Sequence, residues 1–414
     1  MDTALRLHEL GDPIEVSLSL AAGANLASSG VVAAAQSLTP GLWTVQAKSL
    51  VGVAHVAGIE VWIKPKVDIA RIVFMLGYAR DPKGWRDQDV GLEPQQELMP
   101  ALAHTFERQA DRALQQGLLQ GYKRIEDSLP VLRGRLREAE QLKRRFGLPM
   151  PLEVAFDDFT IDIPENQLLL GAARRLLRLP RVPVEVRRRL VRLASKMFDV
   201  TELVRGHGLP QWTPSRLNVR YHVALRLAEM VLHATSAEQV SGPVRVNGFL
   251  FDMAVIFEDF VTVAMSESLA RYGGRAAPQD PQHLDAAAKI RMKPDLVWYS
   301  GPRAAAVIDA KYKAEKPSGF PGADLYQMLA YCTALGLERG DLVYAKGNEV
   351  AATHTVRNAG VEIVQHALDL SQPPKLLLDQ VADITRKVVE GSASEPPHPR
   401  FERPSEQFSA RWVP

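Results

Sequence analysis

The sequence is nearly without cysteine: Cys332 is the only one in 414 residues. One thiol makes no internal disulfide, four-cysteine zinc site or iron–sulfur cluster, so a reducing compartment is expected. Long apolar runs are missing too. The small-residue stretch 18–36 is broken by Gly23, Asn25, Ser28 and Ser29, and no other run approaches the ~20 apolar residues of a membrane span. The opening MDTALRLHELGDP carries acids early and no basic region before an apolar core, unlike a signal peptide. A cytoplasmic protein with no membrane partner is expected. The P-loop pattern G-x-x-x-x-G-K-S/T is absent, so the chain is expected to have no nucleotide site of its own. Scattered histidines without H-E-x-x-H argue against a zinc enzyme. The lack of a G-x-S-x-G elbow argues against a serine hydrolase of that kind.

A large net charge is also lacking: 50 Lys+Arg stand against 48 Asp+Glu, for +2. That balance hides an uneven distribution. Between Gly171 and Arg226, thirteen basic residues face three acids, and the rest of the chain is correspondingly acidic. Arg174, Arg175 and Arg178 fall on one expected helix. Arg187, Arg188, Arg189 and Arg192 fall on the next. The bland explanation is a solvated helix face, and the sharper one is a contact to DNA phosphates or an acidic partner.

What is present is ordinary globular material, 46 % hydrophobic and 24 % charged, in a length that suits about two or three domains. Residues 1–92 read as a β-rich module, expected to bind a partner. Leu42–Ala47 and Ile59–Lys64 alternate apolar and polar, the period of half-buried strands. Residues 68–80 switch to helical spacing. Residues 93–240 read mainly as helix, with extended pieces at 154–156 and 159–161, a break at 132–135, and helices over 166–179, 184–197 and 216–234. Residues 241–391 alternate strands and helices, as in a mixed α/β sheet. The expectation there is helices at 252–271, 322–336 and 374–390, with strands near 296–299, 304–308, 341–345, 354–356 and 361–364. Residues 392–414, rich in Pro and Ser, read as a disordered tail. The fold class expected is α+β, mixed.

The chemistry concentrates in Lys293-Pro294-Asp295-Leu296-Val297-Trp298-Tyr299 and in Ala306-Val307-Ile308-Asp309-Ala310-Lys311-Tyr312, whose Asp309 lies fourteen residues after Asp295. Residues two apart on a strand share a face, so Asp309 and Lys311 point the same way. If the two strands form a hairpin, Asp295 meets Asp309. Two carboxylates with backbone carbonyls and water make an oxygen site suited to Mg²⁺. A neighbouring lysine then holds or helps activate a water, and the metal stabilises phosphodiester charge. An isolated Asp-x-Lys says little. One that closes a buried strand, with Pro-Asp upstream, says more. On the next helix Gln327 shares a face with Tyr331, as Tyr326 does with Ala330. Gln327 is either solvated or aimed at a metal-bound water or phosphate. Glu258, on the preceding helix, is a surface residue or an extra metal carboxylate.

These residues resemble the PD-(D/E)xK nucleases, and their neighbours narrow the resemblance to the McrC family, the nuclease subunits of McrBC modified-cytosine restriction systems. Val307–Tyr312 followed by Asp324-Leu325-Tyr326-Gln327-Met328-Leu329-Ala330-Tyr331 is similar to the family core. Val51-Gly52-Val53, Ile63-Lys64-Pro65-Lys66 and Met75–Ala79 resemble its N-terminal region. Leu132-Arg133-Gly134-Arg135-Leu136 resembles its RGR turn, and Phe156–Asn166 its D-x-P-x-N segment. The matches keep family order over about residues 45–390. The resemblance implies a C-terminal PD-(D/E)xK domain that cleaves double-stranded DNA. Asp295, Asp309 and the Ala310 carbonyl would bind Mg²⁺, with Mn²⁺ as its substitute and Glu258 as a further ligand. Lys311 would position the water, and Gln327 would join the catalytic set. It also implies a McrB-like AAA+ GTPase partner, whose GTPase the chain stimulates, and pairing of two copies across two motor rings. The chain departs from the family in carrying Lys313 where a second aromatic is common. Two rivals stay open: a RecB- or Cas4-like nuclease of repair or CRISPR adaptation, many of which need the four cysteines missing here, and a non-catalytic activator of a AAA+ motor.

Overall fold

The computed structural model describes residues 4–80, 82, 98–146, 148, 150–179, 182–204, 207–233, 235–236, 246–312, 322–345 and 352–392. The expected tail beyond Ser392, the expected boundary at 240/241 and Lys313 lie outside the described residues.

The N-terminal region contains β1 (Ala4–His8), β2 (Ile14–Ser17), α1 (Leu20–Ser28), β3 (Val32–Gln36), β4 (Leu42–Ala47), β5 (Leu50–Val56) and β6 (Ile59–Lys64). β2, β4 and β3 form one antiparallel sheet, and β1, β6 and β5 begin another. The alternation expected for β4 and β6 is present: Trp43, Val45 and Ala47 are buried from the first, Ile59, Val61 and Ile63 from the second. α2 (Ile69–Arg80) follows. The Asp68 carboxylate accepts the Ala70 N–H at its start, satisfying a donor that the first turn leaves free.

The middle region holds α3 (Leu98–Leu114), β7 (Gly121–Leu129), β8 (Arg135–Leu136), α4 (Glu138–Arg145), β9 (Leu152–Thr160), α5 (Pro164–Leu177), α6 (Val184–Lys196) and α7 (His222–His233). The helical expectation fails at 121–129. This polar segment is a strand because it pairs along its whole length with β9, Gly121 opposite Thr160 and Leu129 opposite Leu152. β7, β9 and β8 make an arm with little core of its own. Tyr122, Leu132, Phe146 and Phe159 are exposed on it. The RGR turn closes this arm. Gly134 has φ +71, and a Cβ there would stand 2.4 Å from the Ala155 carbonyl oxygen, so only glycine fits. Arg133 pairs with Asp158 at 2.7 Å and lies 3.9 Å over the Phe156 ring.

The chain then returns to its beginning. β10 (Thr235–Ser236) and β11 (Val246–Asp252) extend the first sheet to the order β1-β6-β5-β11-β10. Gly52, of the Val-Gly-Val motif, lies opposite Leu250. A Cβ on it would meet the Phe249 carbonyl oxygen at 2.2 Å, which explains the glycine. α8 (Met253–Leu269) starts at once, capped by Asp252, which accepts from the Ala254 N–H and from Ser49 Oγ, both at 2.9 Å. One continuous core runs from Leu5 through α8 to Val388.

The C-terminal sheet is built from β12 (Arg275–Pro278), β15 (Leu296–Ser300), β16 (Arg303–Lys311), β17 (Arg339–Ala345), β18 (Thr353–Thr355) and β19 (Glu362–Leu368), with a small ribbon of β13 (Gln282–His283) and β14 (Arg291–Met292) beside it. Its order is β12-β15-β16-β17-β19-β18. β15 and β16 are antiparallel, while β16, β17 and β19 are parallel. α10 (Pro374–Ser392) and α8 pack on Ile308 and Ala310; α9 (Gly322–Leu335) packs on Val307 and Leu342 through Met328 and Cys332. The two-residue period therefore puts Asp309 and Lys311 on the α9 face with Val307. Among the described residues no helix is long and apolar enough to cross a membrane.

Candidate active site

Register brings the two expected acids together. Leu296 pairs with Ile308, so Asp295 and Asp309 stand one step further on, across from each other. Asp295 Oδ2 accepts the Ala310 N–H at 2.8 Å. Asp309 is ion-paired with Lys311. Both carboxyls are buried. Glu258 comes from α8 to hydrogen-bond Asp295. Its other contact is Gln279, whose Nε2 donates to Glu258 Oε1 at 3.1 Å. The Gln279 N–H also donates to the Asp295 carbonyl oxygen, at 2.9 Å. Ala310 contributes through its N–H.

Gln327 is exposed and does not touch the acids. Its Nε2 donates to the Tyr331 hydroxyl at 2.7 Å, which in turn donates to the Lys293 carbonyl oxygen at 3.3 Å. Tyr331 is therefore a site residue that reasoning from the sequence did not single out, although its i, i+4 relation to Gln327 pointed there. A second omission is Asp324. It is buried, accepts the Tyr344 hydroxyl at 3.0 Å and acts electrostatically on Lys311.

Burial and the neighbouring Asp309 charge push Asp295 up to about 8, and Glu258 adds to the effect. Burial also raises Asp309, against the pull of Lys311. Burial alone would lower the Lys311 ammonium, but Asp309, Asp295 and Asp324 outweigh it and raise its pKa. Burial, with Asp309 nearby, raises the Tyr331 hydroxyl as well. The site thus has buried carboxyls short of positive charge, a lysine that stays protonated and a tyrosine that stays a donor.

No group of three or more His, Cys, Asp or Glu among the described residues forms a ready-made metal cage. The donor set nonetheless suits a hard cation. Asp295 and Asp309, with Glu258 beside them, offer only oxygen, and their raised pKa values mark a deficit of positive charge that a divalent ion would relieve.

The N-terminal region reaches this centre. Tyr312, directly after Lys311, is buried with its ring 5.8 Å from Phe257, next to Glu258. Lys66 of the Ile-Lys-Pro-Lys motif lies 4.8 Å over that ring. Buried Glu9 accepts the Lys66 N–H at 3.0 Å and lies beside the Tyr312 hydroxyl.

The six arginines considered for DNA or partner contact divide. Arg174 pairs with Glu202, and Arg188 pairs with Glu185 at 2.9 Å. Arg175 donates to the Leu232 carbonyl oxygen at 3.4 Å and lies over Phe249. Arg187 donates to the Leu177 and Leu179 carbonyl oxygens at 2.6 and 2.8 Å, tying the end of α5 to α6. Arg178 and Arg192 have no such partner among the described residues.

Fold and site together define a mixed α/β protein with a buried carboxylate–lysine centre at the edge between antiparallel and parallel strands. The chain belongs to the McrBC 5-methylcytosine restriction system component family, which matches residues 45–345. In fold it is similar to a chain of the refined half-complex from the tetradecameric assembly of Thermococcus gammatolerans McrB AAA+ hexamers with bound McrC. The TM-score is 0.57 at 18 % identity, covering 93 % of this chain and 100 % of that one. A chain of the cryo-EM structure of the Thermococcus gammatolerans McrBC complex gives a TM-score of 0.36 at 20 % identity, over 66 % of this chain and 90 % of that one. No curated protein matches the chain.

Proposed function

We propose that the chain is the McrC-type nuclease subunit of a McrBC-like restriction system, with a C-terminal PD-(D/E)xK domain that hydrolyses double-stranded DNA in the presence of Mg²⁺. The observation that carries this reading is the meeting of Asp295, Asp309 and Lys311 at one end of the sheet in a chain of this family. Asp295, Asp309 and the Ala310 carbonyl would hold the Mg²⁺, or Mn²⁺ in its place, with Glu258 as a further carboxylate. When bound, the ion supplies Lewis acidity and lowers the pKa of water. Lys311, held cationic by three acids, orients the attacking water and offsets charge building on the phosphate; being already protonated, it does not act as the base. Gln327 fixes the Tyr331 hydroxyl beside these groups as a hydrogen-bond donor.

The motor is supplied in trans. The solved relative has McrC bound to McrB AAA+ hexamers, and a McrB-like GTPase that this chain stimulates is the partner proposed here, with two copies of the chain pairing across two rings. In addition to the N-terminal module, the arm of β7, β8 and β9, with exposed Tyr122, Leu132, Phe146 and Phe159, offers an apolar surface for that partner.

The test is cleavage of DNA carrying 5-methylcytosine by the purified chain with its AAA+ partner and GTP. Cleavage is expected with Mg²⁺ and not in EDTA, and Asp309→Ala and Lys311→Ala are expected to abolish it while staying folded. Cleavage retained by either variant in a clean preparation overturns the assignment.

A further inference from the structure

α3 and α6 are separated by an open cleft of about 640 Å³ whose walls are strongly charged. Arg108 and Arg112 line it from α3, one turn apart. Arg189, Arg192 and Lys196 line it from α6 at spacings of three and four residues. Two of these cations are neutralised: Arg189 by buried Glu107 at 3.5 Å and Lys196 by Asp111 at 3.0 Å. Arg108, Arg112 and Arg192 have no ion-pair or hydrogen-bond partner among the described residues.

Of the other arginines on α6 and on or at the end of α5, Arg174, Arg175, Arg187 and Arg188 are matched within the chain, and Arg178 has no such partner among the described residues. Three unmatched guanidinium groups around one concavity repel one another, and an anion would offset that repulsion. The wall contains no aromatic side chain, so it offers no stacking platform for unpaired bases. Guanidinium groups without aromatics suit the phosphates of a duplex, read without regard to sequence.

We propose that the α3–α6 cleft is a second nucleic-acid contact, separate from the carboxylate centre, in which Arg108, Arg112 and Arg192 grip the phosphate backbone of double-stranded DNA. The choice of DNA as the polyanion rests on the nuclease reading; the anion site itself rests on the cleft. Binding of the full-length chain to a short unmodified duplex, measured in EDTA over a range of salt, tests it without cleavage. The variant R108A/R112A/R192A is expected to bind at least tenfold more weakly at low salt. Its plot of log affinity against log salt should be shallower by about 2 to 3, since each lost phosphate contact removes roughly 0.9. R108K/R112K/R192K should keep most of the slope, which separates lost charge from misfolding. Equal affinity and slope for the alanine variant and wild type overturn the proposal. So does unchanged duplex binding with lost stimulation of a AAA+ GTPase, which would assign the cleft to an acidic protein. If Mg²⁺-dependent cleavage fails but the EDTA binding difference holds, the nuclease reading falls and the cleft stands.

Discussion

Asp162 and the Asp295–Asp309 pair are both clusters built around aspartate, and their electrostatics are opposite. Asp162, in the D-x-P-x-N segment, receives Lys123 Nζ at 2.6 Å, Gln167 Nε2 at 2.8 Å, and both the N–H and the hydroxyl of Thr201 at 2.8 Å. Burial alone would raise its pKa; these four donors outweigh burial and hold it well below the usual carboxylate range. Its companion Asn166 donates to the Leu119 and Ile161 carbonyl oxygens at 2.8 and 2.7 Å. Asp295 and Asp309 instead face each other and Glu258, with Lys311 as the nearby cation, and are raised. An over-satisfied acid ties the scaffold together. An under-satisfied set of acids stores unfavourable charge at one place, as active sites do.

The largest expected break of this contrast is in activity. Lys311→Ala should lower cleavage by a factor on the order of 10³ or more, and buried Asp309, left without its cation, should take up a proton. Asp162→Ala should act on stability instead, costing about 1–2 kcal/mol through the loss of its hydrogen bonds to Lys123, Gln167 and Thr201, discounted because Lys123 and Thr201 are exposed, while cleavage per folded molecule persists. A urea titration together with a cleavage assay separates the two.

A smaller effect of opposite sign sharpens the point. Asp295→Asn keeps an acceptor for the Ala310 N–H and is neutral without having to take up the proton that buried Asp295 must bind. It should stabilise the metal-free chain by about 1 kcal/mol while abolishing cleavage. Calorimetry in EDTA showing destabilisation would count against a folding cost at Asp295.

The smallest effect is in pH dependence. Because the Asp162 pKa is depressed on folding, its contribution is present above the unfolded value of about 3.9 and is lost as pH falls below it. The stability gap between wild type and Asp162→Asn should therefore narrow as pH drops from about 5 towards 2. A constant gap would mean that Asp162 is not held by charge-dependent bonds.

Much of this contrast could be read from the sequence and some could not. Alternation marked β4 and β6, and the apolar runs marked β15 and β16, because one face or both are buried. Asp309 and Lys311 shared a face by period alone, and Asp295 met them once the hairpin formed. β7 was hidden because its residues are polar and are specified by pairing with β9, a long-range fact with no local signature. β11 was hidden because its partner β5 lies about 200 residues earlier in the chain. The arginine count showed an excess of charge, but which arginines are already matched depends on Glu202, Leu177 and Leu232, known only once the helices pack. The structural work of Asp162 was likewise invisible, since its donors come from three separate segments.

Direct measurement of divalent-ion binding bears most closely on the central claim, that the raised acids form a metal-dependent hydrolytic centre. Isothermal titration of the full chain with Mg²⁺, repeated with Mn²⁺, should show a site that Asp309→Asn removes and Asp162→Asn leaves in place. Binding should also release protons, since the ligands must be deprotonated. Equal Mg²⁺ binding by wild type and Asp309→Asn would contradict the account.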